Sequence, residues 1–493
     1  MKQNIVRSVE LEDYDTIIVP AFEDSDVLSG FSGELEPVKA IVGKARQTGK
    51  KEALGSIAAP VDDRLVNVIT VNLGKKEQVK NKTIFQNMSK VYAKCKDIGS
   101  ESILVYGGCL QEDEISKDGM RLIFEAGGMA DYCFDKYKTE KDDITVRNID
   151  YYKLGSDEEE TLKEAGYFAS GIKLARRLIN EPAVYMTPLK LAEEAVNAGR
   201  ENGFKVSVLD EKAVRELGMD AFLAVGKGSD FRPVLIVMEY EGDKGSKEKL
   251  GIAGKGITFD TGGYSMKSPT FMKTMFTDMG GAAALIGAMT SISSMKLKAN
   301  VVGVIAACEN KVSGGSVLPG DIVKSMSGKY IEINNTDAEG RLTLVDAMTY
   351  MLRRHKVSRL VTIATLTGAV RSALGKNIAG VFTDDDVMRK ATLAASARHN
   401  EKTWELPMDE DMRSIIDSDF ADIKNSAIGS TAGGFASVAA LFLKEFSEEK
   451  PLLHIDMAGV NWEERGTAWC PVGGRGYGVK LLYGIVKELE KGN

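Results

Sequence analysis

Short runs rich in β-branched residues alternate with helical spacing of apolar residues along most of the chain. Strand-like runs at Thr16–Val19, Val66–Val71 and Ile103–Val105 stand on either side of Lys80–Cys95, whose apolar residues recur at helical spacing. Strands interleaved with helices predict a parallel or mixed sheet. Charged stretches at Lys136–Asp143 and Asp157–Glu160 then mark a domain boundary. Thr161–Leu178 reads as a long connecting helix, and Thr187–Asn202 as a second that opens on Thr-Pro, a good N-cap and first-turn pair. Strand signals recur at Lys205–Val208, Val234–Met238, Leu250–Ala253, Val301–Ala306, Tyr330–Ile333, Leu360–Ile363 and Leu452–Ile455. The pattern predicts an α/β protein of two domains: a smaller α/β domain over residues 1–160, and a larger one over 161–493 with a sheet flanked by helices.

Composition adds limits. Of 493 residues 43% are hydrophobic and 27% charged, as in globular proteins. The net charge of −7 counts against DNA binding as the main role. Five cysteines (Cys95, Cys109, Cys133, Cys308, Cys470) form no C-x-x-C pair, which fits reduced, mostly buried thiols and a cytoplasmic location. Met1–Glu12 is polar and lacks the apolar core of a secretory signal, and runs such as Val301–Cys308 are too short to span a membrane. No membrane association is expected.

Only three histidines are present, His355, His399 and His454, and no two lie within forty residues of each other. That excludes H-E-x-x-H zinc chemistry and gives a Ser-His-Asp triad no local support. No P-loop is present either; Gly474-Arg-Gly476-Tyr-Gly478 near the C-terminus reads as a loop. Hydrolytic or metal chemistry must rest on other side chains.

Carboxylates among glycines offer an alternative. Gly254-Lys255-Gly-Ile-Thr-Phe-Asp260-Thr-Gly-Gly263 follows a strand, Lys267 comes next, and Asp278 opens a small-residue helix. Asn335-Thr-Asp337-Ala-Glu339-Gly-Arg341 lies between a strand and a helix that starts at Leu342. If that segment is extended, Asp337, Glu339 and Arg341 share a face. Read alone, it is also consistent with an N-cap aspartate and a solvated salt bridge. Asp260, Asp278, Asp337 and Glu339 in one cleft would repel one another unless cations neutralised them, and four negative charges match two divalent ions.

Asn335-Thr-Asp-Ala-Glu-Gly-Arg-Leu342 resembles the signature octapeptide of the leucyl aminopeptidases, the cytosol aminopeptidases of peptidase family M17. Gly254–Gly263, Lys267, Asp278-Met-Gly-Gly-Ala, Ala364-Thr-Leu-Thr-Gly-Ala369, Asn180-Glu-Pro182 with Thr187-Pro188, and His454-Ile-Asp-Met-Ala-Gly459 fit the same family in order and spacing. The resemblance covers roughly residues 165–493, and the first 160 residues look like the family's N-terminal, macro-like α/β domain.

That resemblance implies a dinuclear metal-dependent aminopeptidase of peptide catabolism. Asp260 and Glu339 would bridge two divalent ions, Lys255 and Asp278 would complete the tighter site, and Asp337 the more exchangeable one. Lys255 can bind metal only as the neutral amine, so a neighbouring cation must lower its pKa. Lys267 would stay charged and stabilise the developing oxyanion. Arg341 would hold a bicarbonate ion, the general base for a metal-bridging water. Met275, Thr365, Leu366, Gly368 and Ala458 would line the pocket for the first side chain of a peptide with a free N-terminus, with a leucine-type preference. The ions would be manganese or zinc, with magnesium or cobalt also compatible with such donors. A homohexamer is implied as well. Thr261, Tyr264, Phe276 and Leu318 depart from the family pattern, and the Asn461–Gly476 loop carries Trp462, Trp469 and Cys470. An inactive paralogue would be expected to lack a ligand, and all five are present with Lys267 and Arg341.

Overall fold

The computed structural model describes residues 1–28, 31, 33–48, 54–61, 63–108, 110, 115–141, 146–154 and 158–491. Cys109 and parts of the Lys136–Asp143 and Asp157–Glu160 boundary stretches lie outside the described residues. The chain forms two compact units. One comprises Met1–Ser170 with Arg465–Pro471, the other Gly171–Glu464 with Val472–Asn493.

In the first unit, six strands follow the order Lys2–Val6, Asn148–Tyr152, Ser102–Tyr106, Thr16–Ala21, Arg64–Asn72, Leu54–Val61. All neighbours are parallel except the last pair. Alternate residues serve opposite faces. Ile18, Ile69 and Val105 pack with helices Asn81–Asp97 and Lys117–Gly128, whereas Ile17, Val19, Val68 and Leu104 pack with helix Lys39–Thr48 and its lead-in. Both faces are buried, which is why these strands read as nearly continuous apolar runs.

The second unit holds a nine-stranded mixed sheet. Its order is Thr403–Glu405, Ala379–Thr383, Leu452–Asp456, Arg359–Ala364, Leu250–Gly254, Asn300–Asn310, Val234–Glu241, Lys205–Leu209, and Gly256–Asp260 also pairs with Asn300–Asn310. Its centre, from Leu452–Asp456 to Asn300–Asn310, is parallel, while the flanking pairs are antiparallel. Helix Pro188–Asn202 starts as its sequence predicts, with the Thr187 hydroxyl accepting the Lys190 N–H at 3.2 Å. Tyr330–Glu332 joins a separate three-stranded sheet with Ile322–Lys324 and Ile423–Lys424.

Helix Gly280–Ser294 is buried along almost its whole length. The stretch Met275–Ser294 is long and apolar enough to cross a membrane by length and composition, contrary to the expectation that every apolar run is too short. Most of its apolar window is buried inside the protein, so it is a core helix. Its first turn lies so close to the sheet that a side chain at Gly281 would strike the Ile363 carbonyl.

Candidate metal centre

The central parallel strands end together. Lys255 follows Leu250–Gly254, Asn310 ends its strand, Thr365 follows Arg359–Ala364, and Asp456 ends Leu452–Asp456. Open α/β sheets bind ligands at this carboxyl end of the strands. The opposite end carries a cavity of about 480 Å³ lined by Asp243, Lys249, Lys298, Asn300 and Arg359 among others. None of the predicted ligands lines it.

Lys255 sits in the break between two strands. Its N–H donates to Ile363 and its carbonyl accepts from Ala282. Its Nζ lies 2.7 Å from Asp278 Oδ2, 2.8 Å from Glu339 Oε1 and 3.1 Å from the Thr365 carbonyl. Asp260 ends its strand and accepts from the Gly262 N–H and from Asn310 Nδ2, both at 2.8 Å. Lys267 bridges two carboxylates, 2.8 Å from Asp260 Oδ2 and in close contact with Asp337 Oδ1. Asp278 Oδ1 accepts the Thr365 hydroxyl at 2.6 Å.

The Asn335–Arg341 segment is not extended. The Asn335 side chain accepts the Asp337 N–H at 2.9 Å, closing an Asx turn. Glu339 already has helical dihedrals and caps helix Gly340–Tyr350. The expected alternation therefore does not occur, and a turn, not a strand, brings Asp337 and Glu339 together. Thr336 fastens the turn by donating to the Gly262 carbonyl at 2.7 Å and accepting the Ser265 N–H at 2.7 Å. Arg341 lies in the first helical turn. It donates to the Asn425 carbonyl at 2.8 Å, sits 5.9 Å from the Phe442 ring centre, and makes no ion pair with Asp337 or Glu339.

Oxygens of Asp260, Asp337 and Glu339 lie within 4.8 Å of one another. With Asp278 the group has four carboxylates against two lysines, an excess of two negative charges when all are ionised. Lys255 pairs with Asp278 Oδ2 and Glu339 Oε1 at 2.7 and 2.8 Å, and Glu339 Oε2 is buried without a partner among the described residues. Burial and the neighbouring carboxylates push Asp278 up to about 7 and Asp337 up to about 6, and raise Asp260 as well. Glu339 is held below its ordinary value, because Lys255 and Lys267 outweigh its burial. Burial disfavours both ammonium groups, yet the surrounding carboxylates push their pKa values up. A buried carboxylate cluster with unspent oxygens is suited to hard divalent cations. A cation held here would compete with these lysine contacts, and Lys255 could ligate only as the neutral amine.

The residues expected to line a side-chain pocket gather less tightly. Thr365 touches Asp278 and Lys255 directly. The N–H groups of Leu366 and Ala458 both donate to Asp456 Oδ1, at 3.2 and 3.1 Å, and Thr367 donates to Asp456 Oδ2 at 2.6 Å. Met275 opens the turn that leads into Asp278. Gly368, exposed at the start of helix Gly368–Leu374, joins the set only through Thr367. Among the departures, Phe276 packs edge-on against Trp462 at 5.6 Å, and the Tyr264 hydroxyl donates to Ser313. Sequence reading assigned no role to Asn310, Thr336, Asn425, Asp456 or Asn461. Asp456 has a signal, a carboxylate closing an apolar strand; Asn425 has none.

Two family descriptions match the chain: the cytosol aminopeptidase family catalytic domain over residues 173–483, and its N-terminal domain over 18–141. A probable cytosol aminopeptidase of Clostridium perfringens (strain 13 / Type A) is 39% identical over 99% of both chains. Another, from Fusobacterium nucleatum subsp. nucleatum, is 35% identical over 97% of both. Among solved structures, the bottromycin maturation enzyme BotP in complex with Mn has a TM-score of 0.84 at 28% identity, covering 97% of this chain and 99% of that one.

Proposed function

The chain belongs to the cytosol aminopeptidase family and is a hydrolase of the metallo-aminopeptidase kind, and from that premise we propose a dinuclear enzyme that releases N-terminal residues, leucine-type ones preferentially, from peptides. The observation that carries this reading is the mostly buried group of Asp260, Asp278, Asp337 and Glu339, four carboxylates against two lysines, with Glu339 Oε2 left without a partner among the described residues. Lys255, Asp260, Asp278, Asp337 and Glu339 would hold the two ions, which when bound lower the pKa of a shared water and polarise the scissile carbonyl. The proposed ions are manganese or zinc; the manganese complex of BotP supports the first.

Lys267 carries its ammonium at the edge of the cluster, where it is the group suited to neutralise the oxyanion formed at the carbonyl. Arg341 keeps a buried Nε without a partner, and burial draws its pKa down only to about 10. It stays cationic at neutral pH and is proposed to hold bicarbonate as the general base. Thr365, Leu366, Ala458, Met275 and Gly368 are proposed to receive the first side chain. Residues 161–493 would be the catalytic domain and 1–160 a second, non-catalytic one. A cytoplasmic homohexamer is part of the same reading.

The test is hydrolysis of amino-acid amides and short peptides by protein stripped of metal and resupplied with Mn²⁺, Zn²⁺, Mg²⁺ or Co²⁺. Metal-dependent release of the N-terminal residue, fastest for leucine, is expected. No release with any ion would overturn the proposal.

A further inference from the structure

Asn425 is fully buried and follows the short strand Ile423–Lys424. That strand runs parallel to Tyr330–Glu332, and the Asn425 N–H continues the ladder by donating to Glu332 at 2.9 Å. Its side chain turns toward the Asn334–Ala338 segment. Oδ1 accepts the N–H groups of Asn334 and Asn335 at 3.0 and 3.3 Å. Nδ2 donates to the carbonyls of Asn335 and Ala338 at 2.7 and 3.2 Å. A carboxamide has two donor hydrogens and two acceptor lone pairs, and here all four go to one turn.

Asp337 and Glu339 sit on that turn. The Asn425 carbonyl also takes the Arg341 guanidinium, so one residue holds both ends of Asn335–Arg341. Ser426 extends the same seam, donating its hydroxyl to Asn334 Oδ1 at 2.8 Å and accepting the Asn334 side-chain N–H through its carbonyl at 3.1 Å. On the other flank Thr336 ties the turn to the loop after Asp260. Lys255 and Asp278 are anchored elsewhere, on Ile363, Ala282 and Thr365.

We propose that Asn425 is a positioning residue for the metal centre: it fixes the turn that carries Asp337 and Glu339 and aims Arg341. The inference rests on the dinuclear reading. It assigns the effect unequally, because the Asp337 side of the centre draws both Asp337 and Glu339 from this turn, whereas the Lys255–Asp278 side draws only the shared Glu339. Asn425→Asp is close to isosteric but loses both donors and sets a carboxylate against two carbonyls. Ser418→Ala is the control; Ser418 donates to Glu332 in the same small sheet and does not touch the turn.

Two readouts decide it. In metal-free protein, hydrogen exchange is followed at the Asp337 and Ala338 amides, which bond to Asn335 and not to Asn425. In Asn425→Asp these should exchange at least about tenfold faster than in the wild type or Ser418→Ala. In a calorimetric titration with Mn²⁺, Asn425→Asp should weaken the two sites unequally, one by at least about tenfold more than the other. Unchanged exchange at these amides, or equal weakening of both sites in Asn425→Asp and Ser418→Ala, would overturn the proposal. A wild type that binds fewer than two ions overturns the dinuclear reading instead, and the exchange result still decides the role of Asn425. If Asn425→Asp does not fold, Asn425→Ser, which keeps one donor, is used with the same outcomes.

Discussion

A β-carbon on Gly340 would meet Lys255 Nζ at 2.8 Å, so the first residue of helix Gly340–Tyr350 has to be bare for the lysine to pass. Lys255 cannot easily step aside, since its Nζ is held by Asp278, Glu339 and the Thr365 carbonyl. Gly340→Ala improves intrinsic helix propensity by about 1 kcal/mol. Any loss therefore comes from the collision and not from the helix. Gly340→Ala is expected to keep its circular dichroism and to lose at least about tenfold in metal affinity. Retained affinity would show that Lys255 does not need its present position.

Glu339 serves the fold as well as the proposed centre. Its Oε1 pairs with Lys255 at 2.8 Å and its Oε2 is buried without a partner among the described residues, in a cluster with more carboxylates than lysines. Glu339→Gln removes one charge from that cluster and one ligand from the proposed centre. Metal-free Glu339→Gln should melt below the metal-free wild type, because the fold holds Glu339 below its ordinary pKa and so draws stability from its charge through Lys255 and Lys267. The rise in Tm that metal gives the wild type should vanish, and activity should fall by at least about a hundredfold. A variant that melts at or above the metal-free wild type would mean that repulsion from the neighbouring carboxylates outweighs the pairing of Glu339 with Lys255.

How much of this was legible in the sequence depended on how local the cause was. Thr16–Ala21 and Leu250–Gly254 have buried faces on both sides, and their apolar runs announce them. Lys2–Val6 does not read as a strand, because it is a half-exposed edge element whose pairing is set by Asn148–Tyr152, far away in the chain. The carboxylates were visible as residue types among glycines, but their meeting was implied only by the family resemblance. Asp337 and Glu339 depend on an Asx turn that an alternation rule misses, and that turn depends on Asn425, about ninety residues distant. Arg341 was expected beside the two carboxylates, and the helix starting at Gly340 directs it to Asn425 and Phe442 instead.

Phe276 and Trp462 meet edge-to-face at 5.6 Å, and the neighbouring Asn461 donates its side-chain N–H to the Thr277 carbonyl at 2.9 Å. Both contacts hold the turn Met275–Thr277, whose next residue is Asp278. An aromatic pair of this geometry contributes about 0.5–1.5 kcal/mol beyond its buried area. A double-mutant cycle of Phe276→Leu and Trp462→Leu, read by denaturant unfolding, should give a coupling in that range. If the pair also shapes the proposed pocket, Phe276→Leu should change KM for leucine amide more than for alanine amide. Equal changes for both would confine the pair to stability.

His454 sets an acid limit on the second unit. It is fully buried in strand Leu452–Asp456, shares a 2.8 Å hydrogen bond with the Thr362 hydroxyl through Nδ1, and stacks on Phe382. Burial, reinforced by the charge on Arg341, drives its pKa down to about 3. The folded state therefore keeps His454 neutral, while the unfolded chain takes up a proton below about pH 6.5. Its contribution is present above that value and is lost as pH falls from about 6.5 toward 3. The ceiling on the loss is on the order of 5 kcal/mol, since each tenfold difference in proton affinity between the folded and unfolded chain is about 1.4 kcal/mol. His454→Gln removes the titration, so metal-free variant and metal-free wild type should converge in stability as pH falls from 7 to 4. Parallel stability curves across that range would mean that His454 gains a proton in the fold without cost.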